Sequence, residues 1–172
     1  MADNKAKRSQ WYTFLNTGTS EAPVWVREGR FASELTAQMN PQTTTTQDVT
    51  QDTAETDITG YQPSIGLSKS VSKSDPTFEF IDDIRRSRKI LSDAYSQILH
   101  VDVFNENTDG SYPAELQDVS IQIDSFGGSA SDPLTIGYTY NYRGDPVNGT
   151  ATITGGKPTF TAGTDTKVNS AS

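Results

Sequence analysis

His100 is the only imidazole in the chain, and there is no cysteine to partner it. A catalytic triad or a histidine metal site needs further ligands in a workable geometry. No Ser nucleophile elbow, phosphate-cradling Gly-rich loop or HExxH pattern supplies them. His100 therefore reads as a structural polar residue inside a strand. The absence of cysteine also removes disulfides, thiolate metal sites and a cysteine nucleophile. Carboxylates are abundant, with 22 Asp and Glu against 14 Lys and Arg. A paired-acid hydrolase could be built from them only in a pre-organised cleft, and 172 residues that are 33% hydrophobic offer little material for one. Asp48, Asp52, Glu55 and Asp57 lack the spacing and central Gly of an EF-hand calcium loop. Asn148-Gly149-Thr150 has the form of a glycosylation acceptor, but Asn-Gly is more naturally a turn. No enzymatic role, metal or cofactor is expected.

The charge distribution narrows the partners. Formal net charge is −8, and no Lys or Arg lies between Arg30 and Lys69 or between Lys89 and Arg143. Proteins that grip nucleic acid cluster positive charge against phosphates; this chain has the opposite balance. No apolar run approaches the ~20 residues of a membrane span. The charged start, Asp3, Lys5, Lys7 and Arg8, is not followed by a signal-type apolar core. The expectation is a protein made and kept in a cytoplasm.

Strands must supply most of the scaffold. Trp11 to Leu15 and Val24 to Arg27 are short aromatic and β-branched runs separated by turn residues. Val119, Ile121, Ile123 and Phe126 alternate with polar residues, as do Ile136, Tyr138, Tyr140 and Tyr142. Val147 to Thr154, Gly155-Gly156 and Lys157 to Thr161 predict a closing hairpin. Pro63 places the Ile65–Val71 strand after itself or at an edge. Ser74-Asp75-Pro76 predicts a helix start, and the apolar stripe Phe78, Ile81, Ile84, Arg85, Arg88, Leu91 extends the helix over 76–91. Residues 35–57 turn to Thr, Gln, Asp and Asn, as a long polar loop or a projecting hairpin arm. The sum is a mainly β fold, a sandwich or barrel of about seven to nine strands with one flanking helix. It occupies 10–162, with a polar N-terminal arm (1–9) and a small, polar tail (163–172).

Several motifs, in order, add what spacing cannot. Lys7-Arg8-Ser9-Gln10-Trp11-Tyr12-Thr13-Phe14-Leu15-Asn16, Asn40-Pro41-Gln42-Thr43, Tyr61-Gln62-Pro63-Ser64, Phe80-Ile81-Asp82-Asp83-Ile84-Arg85, Tyr112-Pro113-Ala114-Glu115, Val119-Ser120-Ile121-Gln122-Ile123-Asp124 and Gly144-Asp145-Pro146-Val147 together resemble the major tail tube proteins of phages and prophages. The resemblance runs over residues 7–162. It implies a β-sandwich-like subunit, six of which form a ring whose inner sheets join into one barrel. Rings stack into a hollow tube, an architecture shared with type VI secretion tubes, and the tube carries the genome from capsid to host. It implies a location in the virion tail, with tape-measure, tail-terminator and distal tail proteins as partners besides the chain itself.

On that resemblance the arm residues Asn40, Pro41, Gln42, Thr43, Asp48, Gln51, Asp52 and Asp57 are expected at the ring-to-ring contact. Asp102, Asp118 and Asp124, on polar strand faces, are expected to line an acidic channel through which DNA slides without specific binding. Two other structural readings predict different behaviour. A tail terminator of the same fold forms one ring and stops; a baseplate or adhesin module forms discrete oligomers and exposes aromatic residues on its loops.

Overall fold

The computed structural model describes residues 4–163; most of the expected tail, 163–172, lies outside them. In chain order the strands are β1 (Trp11–Asn16), β2 (Trp25–Arg27), β3 (Thr36–Gln38), β4 (Pro41–Thr46), β5 (Glu55–Tyr61) and β6 (Ser64–Ser70). The helix α1 (Pro76–Ser87) follows, then β7 (Tyr95–Asp102), β8 (Tyr112–Gly127), β9 (Thr135–Tyr142), β10 (Val147–Thr154) and β11 (Lys157–Ala162). The fold is mainly β, as expected. The described residues hold eleven strands rather than seven to nine, because β2 and β3 are three-residue pieces and the polar stretch is itself a hairpin.

Among the described residues all strand pairings are antiparallel. The main sheet runs β2-β1-β7-β8-β9-β6-β3, and β10 with β11 branches from β8. The branch exists because β8 is sixteen residues long and divides one edge between two partners. Tyr112 to Leu116 pair with β10, while Val119 to Gly127 pair with β9. β11 then curls back to touch β2.

This topology produces two cores on opposite faces of one sheet. Leu15, Ile65, Leu67, Ile98, Val119, Ile121, Ile136, Tyr138 and Tyr140 point to one face, where Ile81 and Ile84 of α1 cover them. Phe14, Leu99, Val101, Ala114 and Ala151 point to the other, beneath the curl of β10 and β11. Successive side chains in a strand alternate faces, so adjacent residues such as Phe14 and Leu15 serve different cores.

The hairpin turn Gly155-Gly156 has both residues at positive φ, 61° and 78°, as a tight primed turn requires. Asn148-Gly149, in contrast, is not a turn but lies inside β10. β10 is flanked there by both β8 and β11, and a Cβ on Gly149 would sit 2.2 Å from the Thr161 carbonyl oxygen. Close backbone approach, not reversal, requires that glycine.

The helix begins as expected: Asp75 Oδ1 accepts from the Thr77 N–H at 3.2 Å and Pro76 occupies the first turn. It ends four residues earlier than the apolar stripe suggests. Arg88 is left-handed (φ 48°) and its N–H closes onto Arg85 and Ile84 carbonyls. The reason is that burial stops at Ile84, leaving Leu91 75% exposed in a following 3-10 turn. β7 ends at Asp102, and Phe104 beyond it is exposed.

His100 is buried in β7. Its Nδ1 lies 3.0 Å from the Thr13 hydroxyl, its Nε2 2.6 Å from the Tyr142 hydroxyl, and its ring stacks on Trp11 at 4.7 Å. A neutral imidazole satisfies one donor and one acceptor there, and burial, with a smaller push from Arg8, lowers its pKa to about 4. A histidine whose folded pKa lies below its unfolded ~6.5 adds stability that is complete above pH 6.5 and lost as pH falls toward 4. Urea unfolding at pH 7 and pH 4.5 should show a loss of about 2–3 kcal/mol from this group. His100→Gln should lack that component of the pH dependence.

Candidate functional site

Two surfaces gather the residues singled out in the sequence. The first is the arm. β4 and β5 form their own two-stranded sheet, apart from the main one, and every residue of β4 is exposed. Asn40 anchors its base: its side-chain amide donates to the Gln62 carbonyl (3.1 Å) and to Ser64 Oγ (3.2 Å). Pro41 faces Tyr61, Gln42 faces Gly60, and a register shift follows before Thr43 faces Ile58 and Thr44 faces Asp57. Thr-rich strands form here because β-branched residues suit an extended backbone, and Thr45 and Thr56 hydroxyls meet across the pair at 3.0 Å.

At the tip, Asp48 accepts from the Thr50 N–H at 2.8 Å and from its hydroxyl. The Thr50 hydroxyl, then its amide, holds the Asp48 carboxyl below its ordinary range. Gln51 closes the turn, accepting from Gln47 Nε2 at its carbonyl (2.9 Å) and from the Asp48 N–H at its side chain (3.2 Å). Asp52 and Asp57 are exposed. All eight expected arm residues thus share one projecting hairpin, which also exposes Met39, Val49, Ile58 and Tyr61 around it.

The second surface is a face of the main sheet. Beyond the curl of β10 and β11, the side opposite α1 carries Gln97, Asp118, Ser120, Gln122, Thr139, Asn141 and Ser64 on neighbouring strands. Register places them together: Gln97 faces Asp118, Gln122 faces Thr139, and Asn141 faces both Ser120 and Ser64. Thr36 and Gln38 continue the face onto β3. Asp124 sits at the β8 irregularity and accepts from the Thr139 hydroxyl at 2.6 Å; Asp118 accepts from Gln97 Nε2 at 2.9 Å. Arg143 stands at the border, its guanidinium stacked 3.4 Å over the Tyr95 ring.

Asp118 and Asp124 therefore share this face, and Asp102 does not. Gln97 and Asp102 are five residues apart on β7, so they point to opposite sides. Asp102 is half-buried, and burial raises its carboxyl pKa. Glu115, on the same side, is raised by burial and then by the Asp102 charge.

A third constellation escaped the sequence reading. Lys69 is fully buried, with Nζ 2.9 Å from Glu28 Oε1 and 2.7 Å from Asp75 Oδ2. Its position was legible in principle, because Ile65, Leu67 and Val71 alternate into the core and Lys69 falls in the same phase. Glu28 was not, since it follows the three-residue β2 and reaches the cluster only through the tertiary fold.

No protein-family model and no curated protein matches the chain. Among solved structures, it is similar to a chain of an extracellular contractile injection system, the PVC sheath-tube complex in its extended state, with TM-score 0.49 and 11% identity over 86% of this chain and 93% of that one. It is also similar to a chain of the six-fold symmetrised anti-feeding prophage (AFP) baseplate, with TM-score 0.47 and 11% identity over 86% and 97%. Likeness at this level assigns neither a family nor a function.

Proposed function

We propose that this chain is a structural, non-enzymatic subunit that assembles into stacked rings, six copies to a ring, to form a phage tail tube. The observation that carries the reading is the continuous polar face of the main sheet. An antiparallel sheet can leave one face to water, and here that face carries a row of Ser, Thr, Asn and Gln across neighbouring strands opposite the packed core. In a ring that joins such sheets edge to edge, this face becomes a wetted channel wall. The short end strand β3 leaves a sheet edge for that joining.

Head-to-tail stacking of rings is heterologous and propagates into a filament. The arm, which packs against little of its own subunit, supplies the reach. The sequence resemblance supports ring and tube, as well as the expected tape-measure, terminator and distal tail partners.

Negative-stain electron microscopy over a concentration and salt series tests the reading. Uniform hollow tubes or stacked rings are expected. A single ring that never stacks points instead to a terminator, and a monomer that no initiator complex can seed sinks the assembly proposal.

The channel assignment is testable separately. In assembled tubes, Asp118→Lys with Asp124→Lys should convert a lumen that ignores duplex DNA into one that retains it at low salt and releases it at high salt. Asp102→Lys should not produce that retention. Reversed tubes that behave like the natural ones would place Asp118 and Asp124 away from the lumen.

A further inference from the structure

Lys69, Glu28 and Asp75 bring a nucleophile, a proton carrier and an electrophile together in a site closed to water. Lys69 and Glu28 side chains are 0% exposed and Asp75 1%. The surroundings are aromatic: Lys69 Nζ lies 5.6 Å from the Tyr138 ring centre, and the Tyr140 hydroxyl donates to Glu28 Oε2 at 2.5 Å.

The two Asp75 oxygens are in different circumstances. Oδ1 accepts from the Thr77 N–H (3.2 Å) and the Thr77 hydroxyl (2.9 Å). Among the described residues Oδ2 makes no hydrogen bond, and the Lys69 nitrogen lies 2.7 Å from it. Glu28 Oε1 touches the same nitrogen and is oriented by the Gly29 N–H at 2.9 Å.

We propose that Lys69 and Asp75 condense into an intramolecular amide, with Glu28 as the proton relay. Glu28 takes a proton from the ammonium, and the freed lone pair attacks Asp75 Cγ. Charge developing on Oδ1 meets the two Thr77 donors, which are already in place. The nitrogen–carbon bond forms and the Cγ–Oδ2 bond breaks. Of the three ammonium hydrogens, one stays on the amide and two leave with Oδ2 as water. Glu28 passes them on and ends as the carboxylate it began as, so no oxidant or further reactant is needed.

Fixed contact between the reacting groups supplies the driving condition, since held partners react as if at roughly 10⁵–10⁸ M. Exclusion of water from the closed site opposes hydrolysis. The product also removes an ion pair from a low-dielectric interior, where separated charges are poorly solvated.

Intact-mass spectrometry of the full chain, freshly purified and after incubation at neutral pH, is the test. The chain should be lighter by one water than its sequence requires. Asp75 cannot lose water by closing on the next backbone nitrogen, because Pro76 has no N–H; Asp109-Gly110 can, so the site must be mapped. Trypsin should release a branched peptide joining the Lys69-bearing segment, which ends at Lys73, to the Ser74–Arg85 segment. Glu28→Gln keeps the size and the Tyr140 contact but cannot relay a proton, and should retain the full mass while showing the natural circular dichroism spectrum. A natural chain of full mass with no branched peptide overturns the proposal, whatever the variant does. A Glu28→Gln chain that condenses at the natural rate overturns the relay.

Discussion

Excising the arm between Asn40 and Gln62 and bridging the gap with two glycines is expected to leave a folded subunit that does not assemble into the proposed tubes. The base of the arm is already closed, because the Gln62 N–H donates to the Asn40 carbonyl at 3.3 Å and the Asn40 side chain donates back to Gln62. Among the described residues β4 and β5 pair only with each other, so removing them strips no partner from the main sheet. The entropy of loop closure grows slowly with length, and shortening the connection lowers it slightly. The melting temperature should therefore move by no more than a few degrees, as read by circular dichroism. Electron microscopy of the same sample should show isolated subunits or single rings. Tubes from the excised protein as long as those of the full chain would remove the arm from the proposed ring-to-ring contact.

Measured against the uncondensed ion pair, Lys69→Met is expected to be strongly destabilising. It leaves Glu28 and Asp75 buried together without their cation. Breaking a buried pair by removing one partner costs about 3–5 kcal/mol, because the remaining charge stays unsolvated. For a chain of this size that is a fall of roughly 6–20 °C in melting temperature. Urea unfolding at neutral pH measures it. Adding Glu28→Gln and Asp75→Asn to Lys69→Met should recover part of the loss, since neutral amides keep the Tyr140 and Thr77 contacts without the stranded charge. A loss below about 1 kcal/mol for Lys69→Met, the size of an exposed pair, would show that the cluster is open to water.

Both predictions concern residues that the sequence revealed unequally. The arm was legible as a change in composition over 35–57, which left hairpin and loop as the alternatives. The pairing of Thr45 with Thr56 and the register shift after Gln42 depend on which backbone groups find each other, and composition carries no record of that. The helix start was legible because capping is local: Asp75, Pro76 and Thr77 act within one turn. Its end was not, because the apolar stripe continues to Leu91 while the tertiary contact runs out at Ile84.

Strand alternation made Val119 to Phe126 and Ile136 to Tyr142 plain, since the period of two is a property of the chain itself. Alternation says that a strand has two faces, but not which face of its neighbour each one joins. Only the register across β7, β8 and β9 puts Asp118 and Asp124 on one side and Asp102 on the other. Lys69 falls in the inward phase of β6, but only the tertiary fold brings it to a glutamate 41 residues earlier. Local chemistry set the class, the strands, the helix cap and the polar arm; long-range pairing decided the faces, because a contact between distant residues exists only once the sheet has formed.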